Sequence, residues 1–186
     1  MPRIDAAKLS TRLAKLRNER PTKGNPEPAS VLLLRNNLND SVDPGDRYMI
    51  YQLLLSELYI HFNFVAGLQC AEARLSEFGD IVSYISVARA RLDLGQGSDA
   101  IEEYKTAFRR AIERDELVNY SFGELMRGAV KIADCKTIDV VSEEYLKLNA
   151  RKWKNDCILE TDWMESAIRL GANPRLIEAL RERASR

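Results

Sequence analysis

Apolar residues recur along this chain at three- and four-residue intervals, the period of a helix with one buried face. The clearest stretch runs from Tyr84 to Ala107. Tyr84, Val87, Ala88, Arg91 and Leu92 share one face, and after a break Ala100, Tyr104, Ala107 and Ala111 share another. Gly95-Gln96-Gly97 fills the break, where glycine supplies a left-handed closing residue without a Cβ clash. Ser98 is the expected N-cap of the second helix. Asp99, Glu102 and Glu103 follow it, and Arg109, Arg110 and Arg114 crowd the far end, so each sign complements the helix dipole. Alanine facing alanine lets two helices approach closely. The stretch predicts an antiparallel helical hairpin.

The rest of the chain supplies further helices around it. Ile4, Leu9, Leu13 and Leu16 give a loose apolar stripe within residues 1–20, whose other side is basic (Arg3, Lys8, Arg12, Lys15, Arg17, Arg20). Residues 21–30, PTKGNPEPAS, hold three prolines and a glycine and read as a linker. A short apolar helix follows over Val31 to Asn39. After the Asp43-Pro44-Gly45 turn comes a helix from Asp46 to Tyr59 that is apolar nearly all round. Glu160 to Leu170 and Pro174 to Arg183 form a last pair, with Pro174 suited to a first turn. The expected organisation is a basic arm at 1–20, a linker at 21–30 and one domain from 31 to 186.

Tyr84, Val87-Ala88, Gly95, Ala100, Tyr104 and Ala107 together resemble a tetratricopeptide repeat, with residues 81–114 as the best unit. Arg91 stands where an aromatic is usual, and Ile112 where a proline often closes the unit. A shift of thirty-four residues back places Ile50, Leu53-Leu54, His61, Ala66, Cys70 and Ala73 at the same positions. A shift of thirty-eight forward places Phe122, Leu125-Met126, Ala129, Ala133, Ile138 and Tyr145 there. The resemblance implies an all-α fold, an α-α superhelix: a right-handed solenoid of about three helical hairpins with extra helices at both ends. It also implies a partner-binding groove lined by the first helix of each hairpin.

Composition narrows the function classes. Lys+Arg 28 balances Asp+Glu 28, so no overall field favours nucleic acid or a membrane. At 186 residues one domain can bury about 70% of its unfolded surface. Cys70, Cys135 and Cys157 are odd in number and form no CxxC pair, which fits a reducing compartment. No apolar run reaches the roughly 20 residues of a spanning helix, and the first residues lack the apolar core of a signal peptide. The expected location is cytoplasmic. His61 is the sole histidine, so a two-histidine metal site or relay is excluded, and Glu57 four residues earlier does not complete a metal set. No phosphate loop, GxGxxG or GxSxG occurs. No catalytic residue, metal or cofactor is expected, and the reading is not an enzyme.

The groove positions lie one step round each first helix from its core residues. They are Tyr48, Tyr51, Leu55 and Tyr59 in the first unit, Ile85 and Arg89 in the second, and Tyr120, Arg127 and Lys131 in the third. Such a groove is aromatic at one end and basic at the other, suited to a protein or peptide partner that is partly apolar with acidic character. A chaperone-type carboxylate clamp does not carry over, because tyrosine and leucine occupy the first-unit positions. The expected function is a non-enzymatic adaptor. Two alternatives stand beside it: a cytoplasmic export chaperone or toxin-neutralising immunity protein, and a regulator touching nucleic acid through the basic arm. The lack of aromatics among the arm's charges weighs against the last. The apolar first unit also leaves self-association into a homo-oligomer open.

Overall fold

The computed structural model describes residues 5–17, 27–148 and 159–185. Part of the linker (residues 21–26), a run in which the basic residues Arg151, Lys152 and Lys154 surround Trp153, and Cys157 lie outside the described residues, as do Arg3, Arg20 and Lys23. The described residues are helix and turn without a strand. Ten helices occur among them, and the chain separates into two compact units, Met1–Phe78 and Gly79–Arg186.

The first unit holds α1 (Ala6–Leu16), α2 (Ala29–Asp40), α3 (Pro44–Ile60) and α4 (Phe64–Phe78), each packed on the next. Asp5 caps α1 by accepting from the Lys8 N–H, and Asp43 caps α3 the same way, with Pro44 in its first turn. The basic helix α1 buries Leu9 and Leu13. Its Arg17 donates through Nε to Oε1 of fully buried Glu57 at 2.7 Å. The segment expected as an arm is thus part of this unit, pinned by an ion pair. His61 Nε2 stands 3.4 Å from Ser30 Oγ and 4.0 Å from Glu57 Oε2. Glu57 therefore serves α1 docking. Among the described residues no group of three or more His, Cys, Asp or Glu side chains could hold a metal ion.

The second unit holds α5 (Ile81–Asp93), α6 (Gly97–Arg114), α7 (Val118–Lys131), α8 (Cys135–Lys147), α9 (Met164–Leu170) and α10 (Pro174–Ala184). Here α5 touches both α6 and α7, α7 touches α8 and α9, and α8 touches α10. Ala88, Ala100, Ala107 and Ala111 are all fully buried, as the small-residue pattern requires. Phe122 stacks on Tyr145 with ring centroids 4.1 Å apart, and Trp163 meets Phe122 edge-on at 6.0 Å. Arg183 closes α8: its guanidinium donates to the carbonyls of Tyr145, Leu146 and Leu148 at the helix's C-terminal end, where carbonyls run out of intrahelical donors.

One turn recurs through both units. Residues 61–63, 94–96, 132–134 and 171–173 join α3 to α4, α5 to α6, α7 to α8 and α9 to α10. Each contains one left-handed residue: Phe62 (φ 55°), Gly95 (φ 76°), Ala133 (φ 57°) and Gly171 (φ 99°). After it, the next N–H reaches back five residues, as in Asn63 to Leu58 O, Gln96 to Arg91 O and Asp134 to Ala129 O, each at 2.9 Å, and Ala172 to Ala167 O at 3.1 Å. This is the Schellman closure. Asn63, Asp134 and Asn173 then cap the second helix through a side-chain oxygen. Burial acts to raise the Asp134 pKa, but hydrogen bonds from Thr137 and the charges of Lys105 and Lys136 together outweigh it and hold the carboxyl below its ordinary value.

Two details of the sequence reading change. Helix α6 begins at Gly97 and Ser98 is not its cap; Gln96 precedes the helix without a side-chain bond. Gly97 faces α7's last turn, where a Cβ would stand 3.0 Å from Ile132 Cγ2. The first unit fits the Tyr84 hairpin at a shift of thirty-three residues, not thirty-four: Tyr51, Leu54, Leu55, Gly67, Ala71 and Arg74 are buried, while Leu53 and Ala66 are half-exposed and Ala73 is exposed. The thirty-eight-residue shift holds, with Leu125, Met126, Ala129, Ile138 and Tyr145 all buried.

Candidate functional site

The expected groove residues fall into two sets, one in each unit. In the first unit Tyr51 and Leu55 are core residues, 5% and 6% exposed. Tyr51 donates to Glu77 Oε2 at 3.2 Å, and Glu77 also takes two bonds from Arg47 at 2.5 and 2.7 Å. That hydrogen bonding from Arg47 holds the Glu77 carboxyl below its ordinary pKa, while burial and the Glu77 charge push the Tyr51 phenol up. Tyr48 meets Phe78 edge-on at 5.2 Å, and the buried Arg74 guanidinium lies 4.3 Å from its ring centroid. Tyr59 is partly buried beside Phe64. These tyrosines mostly bind their own unit.

In the second unit Ile85 is 1% exposed and belongs to the core. The polar residues meet at the surface. Arg89, from α5, donates through Nε to Oε2 of Glu124 on α7 at 2.8 Å, and through Nη2 to the Tyr120 hydroxyl at 3.3 Å. Burial pulls the Arg89 pKa down, but the Glu124 charge and Tyr120 more than offset it, so the guanidinium is held charged. Arg127 donates to Glu124 Oε1 at 2.9 Å and to Asp162 Oδ2 at 3.1 Å, and it also pairs with Glu160. Lys131 pairs with Asp93 of α5 at 2.7 Å.

These pairs repeat. Arg89 and Arg127 are thirty-eight residues apart, as are Glu124 and Asp162, and each arginine uses its Nε to reach an acid thirty-five residues ahead. One arginine-to-acid rung thus links α5 to α7, and its equivalent links α7 to the turn before α9. The cations expected to await an acidic partner already hold carboxylates of the chain itself. Glu124, with a side chain 9% exposed, is locked between two arginines, whereas Glu160 and Asp162 are 63% and 64% exposed. Each of these residues was named or visible in the sequence. What sequence spacing missed was that the cations and acids advance by the same interval.

Cys70 is buried, and that burial pushes its thiol up to about 12, against a small opposing effect of Arg35 and Arg74. Such a thiol is not a nucleophile near neutral pH. Cys135 donates to the Leu170 carbonyl at 3.1 Å. No helix among the described residues is long and apolar enough to cross a membrane. No family model matches the chain, and neither does any curated protein or solved structure.

Proposed function

We propose that this chain is a tetratricopeptide-like repeat protein of the cytoplasm that works without catalysis, by holding a segment of another protein against α5 and α7 of its second unit. The observation that carries the reading is the repeated rung, Arg89 to Glu124 and Arg127 to Asp162. Tyr120, Arg127 and Lys131 follow at helical spacing along α7, whose opposite face is core. Arginine and tyrosine are the side chains that concentrate binding energy at interfaces. A partner segment with some acidic character fits best, because its carboxylates can exchange with the exposed Glu160 and Asp162 while buried Glu124 stays in place.

The test is a Tyr120→Ala, Arg127→Ala double variant of the full chain, compared with wild type for the proteins that co-purify from the native source. A partner lost at least roughly tenfold, with a thermal melt within a few degrees of wild type, supports the surface. An unchanged set of partners removes it.

A further inference from the structure

Arg35, Leu38 and Asn39 stand three and four residues apart on α2, and Ala66, Gln69, Cys70 and Ala73 do the same on α4, so each set shares one side of its helix. Both helices pack on α3. Between the two sides lies a cleft of about 210 Å³, whose lining also includes Tyr51 and Leu54 of α3. Tyr51, Leu54 and Cys70 are buried and form its floor, whereas Arg35, Asn39 and Gln69 are exposed and stand at its mouth. Alanine at positions 66 and 73 leaves the space between the walls open.

The cleft has one sign of charge. Arg35 is the one charged side chain among the described residues that line it, and exposed Glu72 on α4 is not part of the lining. Glu27 reaches Arg35 Nε at 3.0 Å, with the two side chains 25% and 44% exposed. A guanidinium carries five N–H donors and a carboxylate takes at most two of them, so the fork keeps donors for a second anion. Burial keeps the Cys70 thiol protonated on the floor, while Arg35 and Arg74 both act on it in the sense that favours negative charge. Glu77, which accepts from the Tyr51 hydroxyl, is itself held by two bonds from Arg47. Asn39 on one wall and Gln69 on the other add neutral N–H donors at the mouth.

From this arrangement we infer that the first unit binds a small apolar carboxylate, its aromatic or branched body on Tyr51 and Leu54 and its carboxylate on Arg35 at the mouth. Size sets the class. A cavity of about 150 Å³ holds benzene and drug-sized ligands occupy roughly 300 Å³ or more, so this cleft suits a single ring with a short acid arm. Charge sets the sign. An amine would meet Arg35 as a like charge, and a neutral analogue would forgo the charge-assisted bond to the guanidinium. The split between apolar floor and polar mouth sets the orientation, because each end of such a ligand then meets its own kind of surface. A ligand of about ten non-hydrogen atoms in an open cleft should bind with a Kd of about 1 mM.

The experiment is a titration of the nitrogen-15-labelled full chain with phenylacetate at neutral pH, to about 10 mM, read by amide chemical shifts. Phenylacetamide and phenethylamine serve as the neutral and cationic probes. Phenylacetate should give saturable shifts concentrated in residues 35–39, 51–54 and 66–73. Phenylacetamide should bind at least roughly fivefold more weakly, and phenethylamine should leave these residues unshifted. Arg35→Gln should lower the affinity for phenylacetate to that for the amide while leaving the amide's own affinity unchanged, a result that a damaged fold could not give. Ala73→Leu, which fills the cleft from an exposed position, should remove binding of both. The inference is overturned if phenylacetate gives no saturable shift, or shifts only residues outside the cleft. It is overturned equally if the amide or the amine binds as tightly as the acid, or if Arg35→Gln leaves phenylacetate binding intact.

Discussion

Gly128 lies in the middle of α7, where glycine costs about 1 kcal/mol relative to alanine. Its presence follows from Tyr104 on α6. A Cβ at Gly128 would stand 2.7 Å from Tyr104 Cε2 and 2.9 Å from Cδ2, well inside the roughly 3.5–4.0 Å of a good carbon contact. Tyr104 is 2% exposed, so its ring has no room to withdraw. Overpacking of this kind costs about 1–3 kcal/mol, against a propensity gain of about 0.8–1. Gly128→Ala should therefore destabilise the second unit by about 1 kcal/mol, or a few degrees in Tm. The sign should reverse in a Tyr104→Leu background, where the clash is gone and only the propensity gain remains. Urea unfolding followed by tryptophan fluorescence measures both arms of the cycle, since Trp163 is packed in the same core. A coupling of about 2 kcal/mol is expected. If Gly128→Ala stabilises the wild type, or the two changes add within about 0.5 kcal/mol, the close approach of α6 and α7 is not what selects glycine.

Ala133 carries a left-handed conformation where Gly95 and Gly171 serve the equivalent turns, so Ala133→Gly should stabilise the chain by about 0.5–1 kcal/mol in urea titrations; a loss would show that the turn is not strained. The Glu77 carboxyl is held below its ordinary pKa by Arg47, so the unfolded chain binds its proton first as pH falls. The stabilisation from this pair is present above the usual carboxylate pKa of about 4.3 and is lost as pH drops through the depressed folded value. Glu77→Gln should cost about 1 kcal/mol at neutral pH, and its gap from wild type should close on acidification; a gap constant between pH 7 and about pH 3 contradicts the pairing.

The hairpin of α5 and α6 was legible because its turn uses glycine and its buried face uses alanine, both of which leave a mark in the sequence. The same turn at Phe62 and Ala133 left none, since neither residue prefers a positive φ, and recognising it required the five-residue backbone bonds. The one-residue error in the first unit has the same root. With His61 matched to Gly95, the alanines of α4 aligned by identity, but the true match is Phe62. Apolar periodicity also placed Tyr51, Leu55 and Ile85 on a binding face although all three are core, because a helix apolar nearly all round does not reveal which side is covered. Arg89 and Lys131 are exposed and Arg127 is half-buried. Their acids lie one hairpin away, beyond the reach of helical spacing, yet Glu124 and Asp162 repeat at the interval of the arginines and could have been found by sliding the charges rather than the apolar residues.

The most direct measurement places a photoreactive benzoylphenylalanine at Tyr120 on α7, and separately at Val140 on α8, in the full chain expressed in its native source. Cross-linking of one defined partner from position 120 and not from position 140 is the result expected if the rung-bearing surface holds another protein. Capture from position 140, with nothing linked at 120, would contradict it.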